Sequence, residues 1–113
     1  MIPAMATSKE FMDFVHERIG LGPRITSRRM FGEYGVYLDG KVLLFVCDNS
    51  VFLKPTTAAE PLVHHLPQGS PYPGAKAYRI LDELLEDPVR LREVLQVTAD
   101  ALPPPKPRKK KSK

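Results

Sequence analysis

The dipeptide Asp39-Gly40, set between Leu38 and Lys41, constrains the fold of this chain more than any other feature. A two-residue hairpin turn of the primed type needs positive φ at both central positions, which Asp tolerates and Gly adopts without steric cost. The turn therefore predicts an antiparallel hairpin inside a run of strands over residues 25–54. Asp48-Asn49-Ser50 supplies a second turn ahead of Val51, Phe52, Leu53 and Lys54. Between the turns, residues 42–47 form an uninterrupted apolar run. A strand apolar on both faces belongs at the centre of a sheet, covered by helices on one side and by more protein on the other.

Helical signals flank this run. Thr7 and Glu10 fit the T-x-x-E capping box, Phe11, Phe14, Val15 and Ile19 recur at helical spacing, and Gly20 offers a stop. The pattern predicts a helix over 8–19 with one apolar face. Thr57 and Glu60 repeat the capping-box spacing before a short helix over 61–66, with its proline in the tolerated first turn. Residues 67–76, rich in Pro and Gly, read as a loop, and residues 77–80 as a short strand. Asp87-Pro88 pairs an N-cap with an N1 proline, and Leu91, Val94, Leu95, Thr98, Ala99 and Leu102 mark the buried stripe of a last helix ended by Pro103-Pro104-Pro105. The expected class is α+β, a single mostly antiparallel sheet with flanking helices.

A chain of 113 residues buries one modest core and no second. The reading divides it into a flexible N-terminus (1–6), a folded body (7–102) and a disordered Pro/Lys-rich tail (103–113). Charge follows the same division. Lys106, Arg108, Lys109, Lys110, Lys111 and Lys113 sit in the tail with no acid among them, and removing those six from the formal +4 leaves −2 for the body. Such a tail attracts nucleic acid by displacing condensed counterions, without reading sequence. A single cysteine, Cys47, suits a reducing cytoplasm. The N-terminus MIPAMATSKEF shows neither the basic nor the apolar region of a secretory signal, and a six-residue apolar run is too short for a membrane span.

Candidate chemistry is sparse. An RNP1-type RNA-binding strand placed on Tyr34-Gly35 puts Glu33 and Asp39 where they repel phosphate, so Phe31, Tyr34 and Tyr37 are expected to pack while Gly32 and Gly35 allow a bulge or a close backbone approach. Arg28 and Arg29 point to opposite faces of a strand, and an ion pair with Glu33 or another acid is the expected use of one of them. The adjacent His64-His65 cannot face one metal from a helix, and one Cys with three His lacks paired zinc spacing. Cys47 reads as a small buried hydrophobe. Asp82, Glu83, Glu86 and Asp87 read as a solvated face and a helix N-terminus. No metal, cofactor or catalytic residue is expected.

The run RRMFGEYGVYLDGKVLLFVCDNSVFLKP resembles the N-terminal domain of the TfoX/Sxy family, bacterial proteins named for a regulator of competence. The matching residues are Arg29, Met30-Phe31-Gly32, Tyr34-Gly35, Asp39-Gly40 and Leu53-Lys54, with Leu84, Leu85, Asp87-Pro88 and Leu91 in a later run. The resemblance spans residues 8–102 and implies helix–three strands–helix–two strands–helix, similar to type III secretion chaperones and often dimeric. The chain's own pattern shows four early strands and one late strand. Either residues 25–30 run on into 34–38 past a glycine bulge, or residues 71–74 hold a short strand. Full-length TfoX-type regulators carry a second, helical domain where this sequence has a basic tail, and no catalytic or binding position carries over.

Together these readings predict a cytoplasmic, non-enzymatic regulatory or adaptor protein. It forms a homodimer, binds a protein partner through its sheet or dimer face, and gains nonspecific nucleic-acid affinity from its tail. The nucleic-acid candidates are Arg28, Arg29, Lys106, Arg108, Lys109, Lys110, Lys111 and Lys113. The alternative is a DNA-binding transcriptional regulator in its own right, using Arg24, Arg28, Arg29 and the tail.

Overall fold

The computed structural model describes residues 8–30, 33–71 and 74–103. Helix α1 (Lys9–Ile19) starts where the Ser8 hydroxyl accepts the Phe11 N–H at 3.1 Å, and the Ser8 N–H in turn donates to Asn49 Oδ1 at 3.0 Å. The cap is thus Ser8 rather than Thr7, which lies outside the described residues. Two stripes run along this helix. Met12, Val15 and Ile19 are buried, whereas Phe11 is half-buried and Phe14 exposed, so the apolar face is rotated from the predicted one. Arg18 covers Phe14, its guanidinium 5.5 Å from the ring centroid, while its Nε donates to Leu85 O at 2.6 Å. At Gly20 (φ 66) the helix stops in left-handed geometry, and a Cβ there would come within 3.1 Å of Arg92 Nη1. That same nitrogen donates to Ile19 O at 3.2 Å, tying the last turn of α1 to the third helix.

After a 3₁₀ turn over Gly22–Arg24 come four strands, β1 (Ile25–Met30), β2 (Glu33–Leu38), β3 (Lys41–Cys47) and β4 (Ser50–Leu53). The β2–β3 turn has Asp39 at φ 51 and Gly40 at φ 87, as the Asp-Gly signal requires. The β3–β4 turn places Asp48 (φ 53) and Asn49 (φ 60) in the same region, which short polar side chains tolerate. The short helix α2 (Glu60–Val63) follows; it is entered where Thr56, not Thr57, accepts the Ala59 N–H at 3.2 Å. Strands β5 (Gln68–Gly69) and β6 (Tyr78–Ile80) complete one six-stranded antiparallel sheet in the order β1-β2-β3-β4-β6-β5. β1 and β2 are therefore separate strands, and the additional late strand lies at Gln68–Gly69, ahead of residues 71–74.

The register sorts side chains onto two faces, because directly paired residues share a face. Val36, Leu44 and Leu53 form one line across the sheet, with Val46 and Val51 beside it. These residues are buried in the core with the helices. Gly35, Phe45, Phe52 and Ile80 form the line on the opposite face. A bulge between Val36 and Tyr37 leaves Leu43 without a β2 partner, so Leu43 and Leu44 both enter the core although adjacent in sequence. The bulge thus lies on β3 at Leu43, opposite Val36 and Tyr37, and not at Gly35, which pairs in register with Phe45; Gly32 lies outside the described residues.

A 3₁₀ turn over Asp82–Glu86 leads into α3 (Pro88–Ala101), capped by Asp87, which accepts the Arg90 N–H at 3.3 Å. Leu91, Val94, Leu95, Thr98 and Ala99 are its buried face, as the spacing predicted. Thr98 is admitted to the core because its hydroxyl donates to Val94 O at 2.8 Å. Lys41 reaches from β3 to donate to Ala99 O (2.6 Å) and Leu102 O (3.2 Å), a cation at the negative end of the helix. Asp82 does more than charge a surface. Its carboxylate accepts the Val51 N–H at 2.7 Å and the Ser50 hydroxyl at 2.9 Å, clamping the start of β4.

Candidate functional site

Alternation and pairing place Tyr37, Val42, Phe45, Cys47, Phe52, Tyr78 and Ile80 on the face turned away from the helices. Phe45 and Tyr78 meet with ring centroids 5.8 Å apart and planes tilted by 31°. Gly69 permits this packing, since a Cβ there would stand 3.1 Å from Ile80 Cδ1 and 3.7 Å from Phe52 Cε2. Phe52 and Cys47 are buried within the layer, whereas Tyr37, Val42, Phe45, Tyr78 and Ile80 are half-buried. The helical core residues all belong to the other face. The result is an apolar, aromatic-centred surface across the four strands β2, β3, β4 and β6, against which none of the described helices packs. Tyr34, one position from Gly35, turns the other way and packs against the core.

Cys47 lies in this layer with 5% of its surface exposed. Burial, reinforced by the negative charge and hydrogen bond of Glu33, pushes its thiol up to about 11 from an ordinary 9.0. At pH 8 the thiolate is then about a hundredfold scarcer than for an ordinary thiol. Iodoacetamide labelling of the native chain is accordingly expected to be at least that much slower than in urea-unfolded chain at the same pH. Equal rates would contradict the buried, protonated thiol.

The arginines behave differently from expectation. Arg24, not Arg28 or Arg29, makes the ion pair: its Nε and Nη2 straddle the Asp39 carboxylate at 3.1 and 2.7 Å. The paired guanidinium holds the Asp39 carboxyl below its ordinary pKa, and Asp39 in turn raises that of Arg24. Arg28 and Arg29 are exposed and make no ion pair among the described residues. Glu33, the acid proposed for them, instead accepts the Asp48 N–H at 3.2 Å and lies against Cys47. Spacing in the chain could not reveal this. The β2–β3 turn brings Asp39 opposite Arg24 by register, fifteen residues away in sequence.

Elsewhere, the His64 and His65 rings meet edge to face at 6.0 Å on exposed positions. Among the described residues no group of three His, Cys, Asp or Glu comes together as metal ligands. An open hollow of about 430 Å³ is lined by Pro55, Thr56, Thr57 and Glu60, with Glu60 held by Arg79 at 2.8 Å. No described helix is long and apolar enough to cross a membrane. The tail candidates Lys106, Arg108, Lys109, Lys110, Lys111 and Lys113 lie outside the described residues, as does Phe31.

Phe52, Tyr78 and Ile80 are the site residues that sequence reading did not single out. The available signal was the unbroken apolar run at 42–47, which implied a second apolar face without naming its other members.

Among known proteins, a family model described as the TfoX N-terminal domain matches residues 18–102. The chain is also similar to a protein of Spirochaeta aurantia named "Uncharacterized 12.7 kDa protein in trpE 5'region", with 47% identity over 109 residues that cover 96% of this chain and 95% of that protein.

Proposed function

The chain belongs to the TfoX N-terminal domain family, and from that premise we propose that it is a non-enzymatic regulatory adaptor of the cytoplasm, assembled as a homodimer through the outer sheet face. One observation carries this reading. The apolar layer of Tyr37, Val42, Phe45, Phe52, Tyr78 and Ile80 has no helix over it among the described residues, whereas the opposite face is sealed by α1, α2 and α3. Contiguous apolar surface centred on aromatic side chains is the composition of interface cores. A second copy is the occupant that matches in shape and chemistry without further assumption, because a two-fold axis through the face lays the same patch on both chains. The family's regulatory association supports the functional half of the proposal. The tail adds nonspecific attraction to nucleic acid.

Val42 sits half-buried in this face, paired with Tyr37. The test is sedimentation equilibrium on the wild-type chain and on Val42→Glu. The wild type is expected at twice its 12.7 kDa chain mass. The variant is expected to be monomeric at the same concentration with unchanged far-UV circular dichroism, because a carboxylate desolvated in an apolar contact raises the dissociation constant about a hundredfold or more. A wild type that stays monomeric into the high micromolar range, or a Val42→Glu chain that still dimerises, would sink the proposal.

A further inference from the structure

The two edges of the sheet are treated very differently. The β5 edge is two residues long and flanked by Pro67 and Pro71, the usual way of blunting a strand against further pairing. The β1 edge is six residues long, contains no proline and has no described strand paired beyond it, although α1 reaches it through His16, whose Nε2 lies 3.2 Å from the Ser27 side-chain oxygen. Its backbone groups can be assigned. Asp39 N–H donates to Arg24 O at 2.9 Å, and the β1–β2 register continues unbroken from that pair. Antiparallel bonding alternates, so Thr26 and Arg28 direct their N–H and C=O groups to β2 while Ile25, Ser27 and Arg29 direct theirs outward. The Ile25 N–H is used, donating to Gly22 O. Ser27 and Arg29 therefore present two complete donor–acceptor sets at the open edge.

Two cations mark the same spot. Arg28 pairs with Gly35 and lies on the outer face, while Arg29 pairs with Tyr34 and lies on the helical face. Both are exposed and free of ion pairs among the described residues, whereas nearby Arg24 is neutralised by Asp39. A second copy of β1 laid along this edge would crowd four arginines onto one short ladder, so the charge that blocks self-association selects the opposite sign.

We infer that the β1 edge is a docking site for an extended acidic polypeptide segment, added as a seventh strand. Backbone bonds to Ser27 and Arg29 hold the segment, and the guanidinium forks of Arg28 and Arg29 read its side chains. Because neighbouring residues of an added strand also point to opposite faces, the site calls for two adjacent acidic residues, one for each arginine, rather than acids at alternate positions. This goes beyond the adaptor proposal by naming a partner chemistry, and it uses a surface separate from the outer face.

The experiment is residue-resolved amide exchange on the full chain at low salt, with and without the capped peptide Thr-Val-Glu-Glu-Val-Thr or its Lys-Lys counterpart. The acidic peptide is expected to protect the Ser27 and Arg29 amides, leave the already bonded Thr26 and Arg28 amides unchanged, and act equally on the monomeric Val42→Glu chain. The Lys-Lys peptide is expected to protect neither. Combined Arg28→Glu and Arg29→Glu changes should weaken the acidic peptide by about tenfold or more and reverse the preference toward the Lys-Lys peptide. Mere tail stickiness cannot produce that site-specific protection. Absence of protection at saturating peptide, changes confined to the outer face, or stronger protection of the same two amides by a single-stranded oligonucleotide would each overturn the assignment. Binding by the Val42→Glu monomer keeps this outcome separable from the fate of the dimer.

Discussion

Truncating the chain after Leu102 is expected to abolish salt-dependent binding to duplex DNA. The six cations of residues 103–113 are unopposed by any acid in the tail, and the body they leave behind carries a formal −2. If all six reach phosphates, the logarithm of the affinity should fall with that of salt with a slope of about −5, so raising salt from about 50 to about 200 mM costs roughly three orders of magnitude. The truncated chain should show little binding at either concentration. Fluorescence anisotropy on a labelled random duplex across that salt range reads both quantities at once. Equal, salt-insensitive affinity of the two chains removes the tail from the functional account. Binding retained by the truncated chain and lost on Arg28→Glu with Arg29→Glu moves the nucleic-acid site to the body, the alternative raised by the sequence. Arg24 contributes little to that alternative, since its guanidinium is already engaged by Asp39.

Leu44→Ala is expected to be the most damaging single truncation of the fold. Leu44 is fully buried on the third of six strands, between Val36 and Leu53 in register and under the helices. Its neighbour Leu43 is already held in the core by the bulge, and the adjoining strands are bonded on both sides, so the site cannot easily collapse around a void. Removing it is expected to cost about 3–5 kcal/mol, a large part of the roughly 5–15 kcal/mol available to a domain. At this chain length that corresponds to a fall in melting temperature of about 10–20 °C by calorimetry. Phe45→Ala provides the contrast. Phe45 lies on the outer face and is only half-buried, so its truncation should cost the monomer less while weakening self-association more. A larger loss of monomer stability for Phe45 than for Leu44 would mean that the two faces have been assigned the wrong way round.

Several local features were readable in the chain before any fold was known. Asp39-Gly40 and Asp48-Asn49 declare turns because few residues accept positive φ. Asp87-Pro88 opens α3 through an exposed carboxylate acceptor and a proline whose missing N–H is not needed there. The stripe from Leu91 to Ala99 needs only a period of 3.6 residues to be recognised. Less legible was which of two equally periodic stripes of α1 goes inward, because Met12 and Phe11 differ by one position and the choice belongs to the helices that pack there. The two-residue strand β5 carries too little periodicity to be seen at all, and exists only because β6 lies beside it.

The candidate site divides along the same line. Its sequence alone settled that β3 is central and apolar on both sides, that positive charge gathers at the C-terminal end, and that hairpins join β2, β3 and β4, since each follows from neighbouring residues and their allowed geometry. Pairing decided the rest. It alone set Arg24 rather than Arg28 or Arg29 against an acid, turned Glu33 toward Cys47, put Asp82 under Ser50 and Val51, and gathered Phe45, Phe52, Tyr78 and Ile80 into one uncovered face. Those contacts join residues far apart in sequence, and their strength depends on distance and burial, which no local preference of the chain encodes.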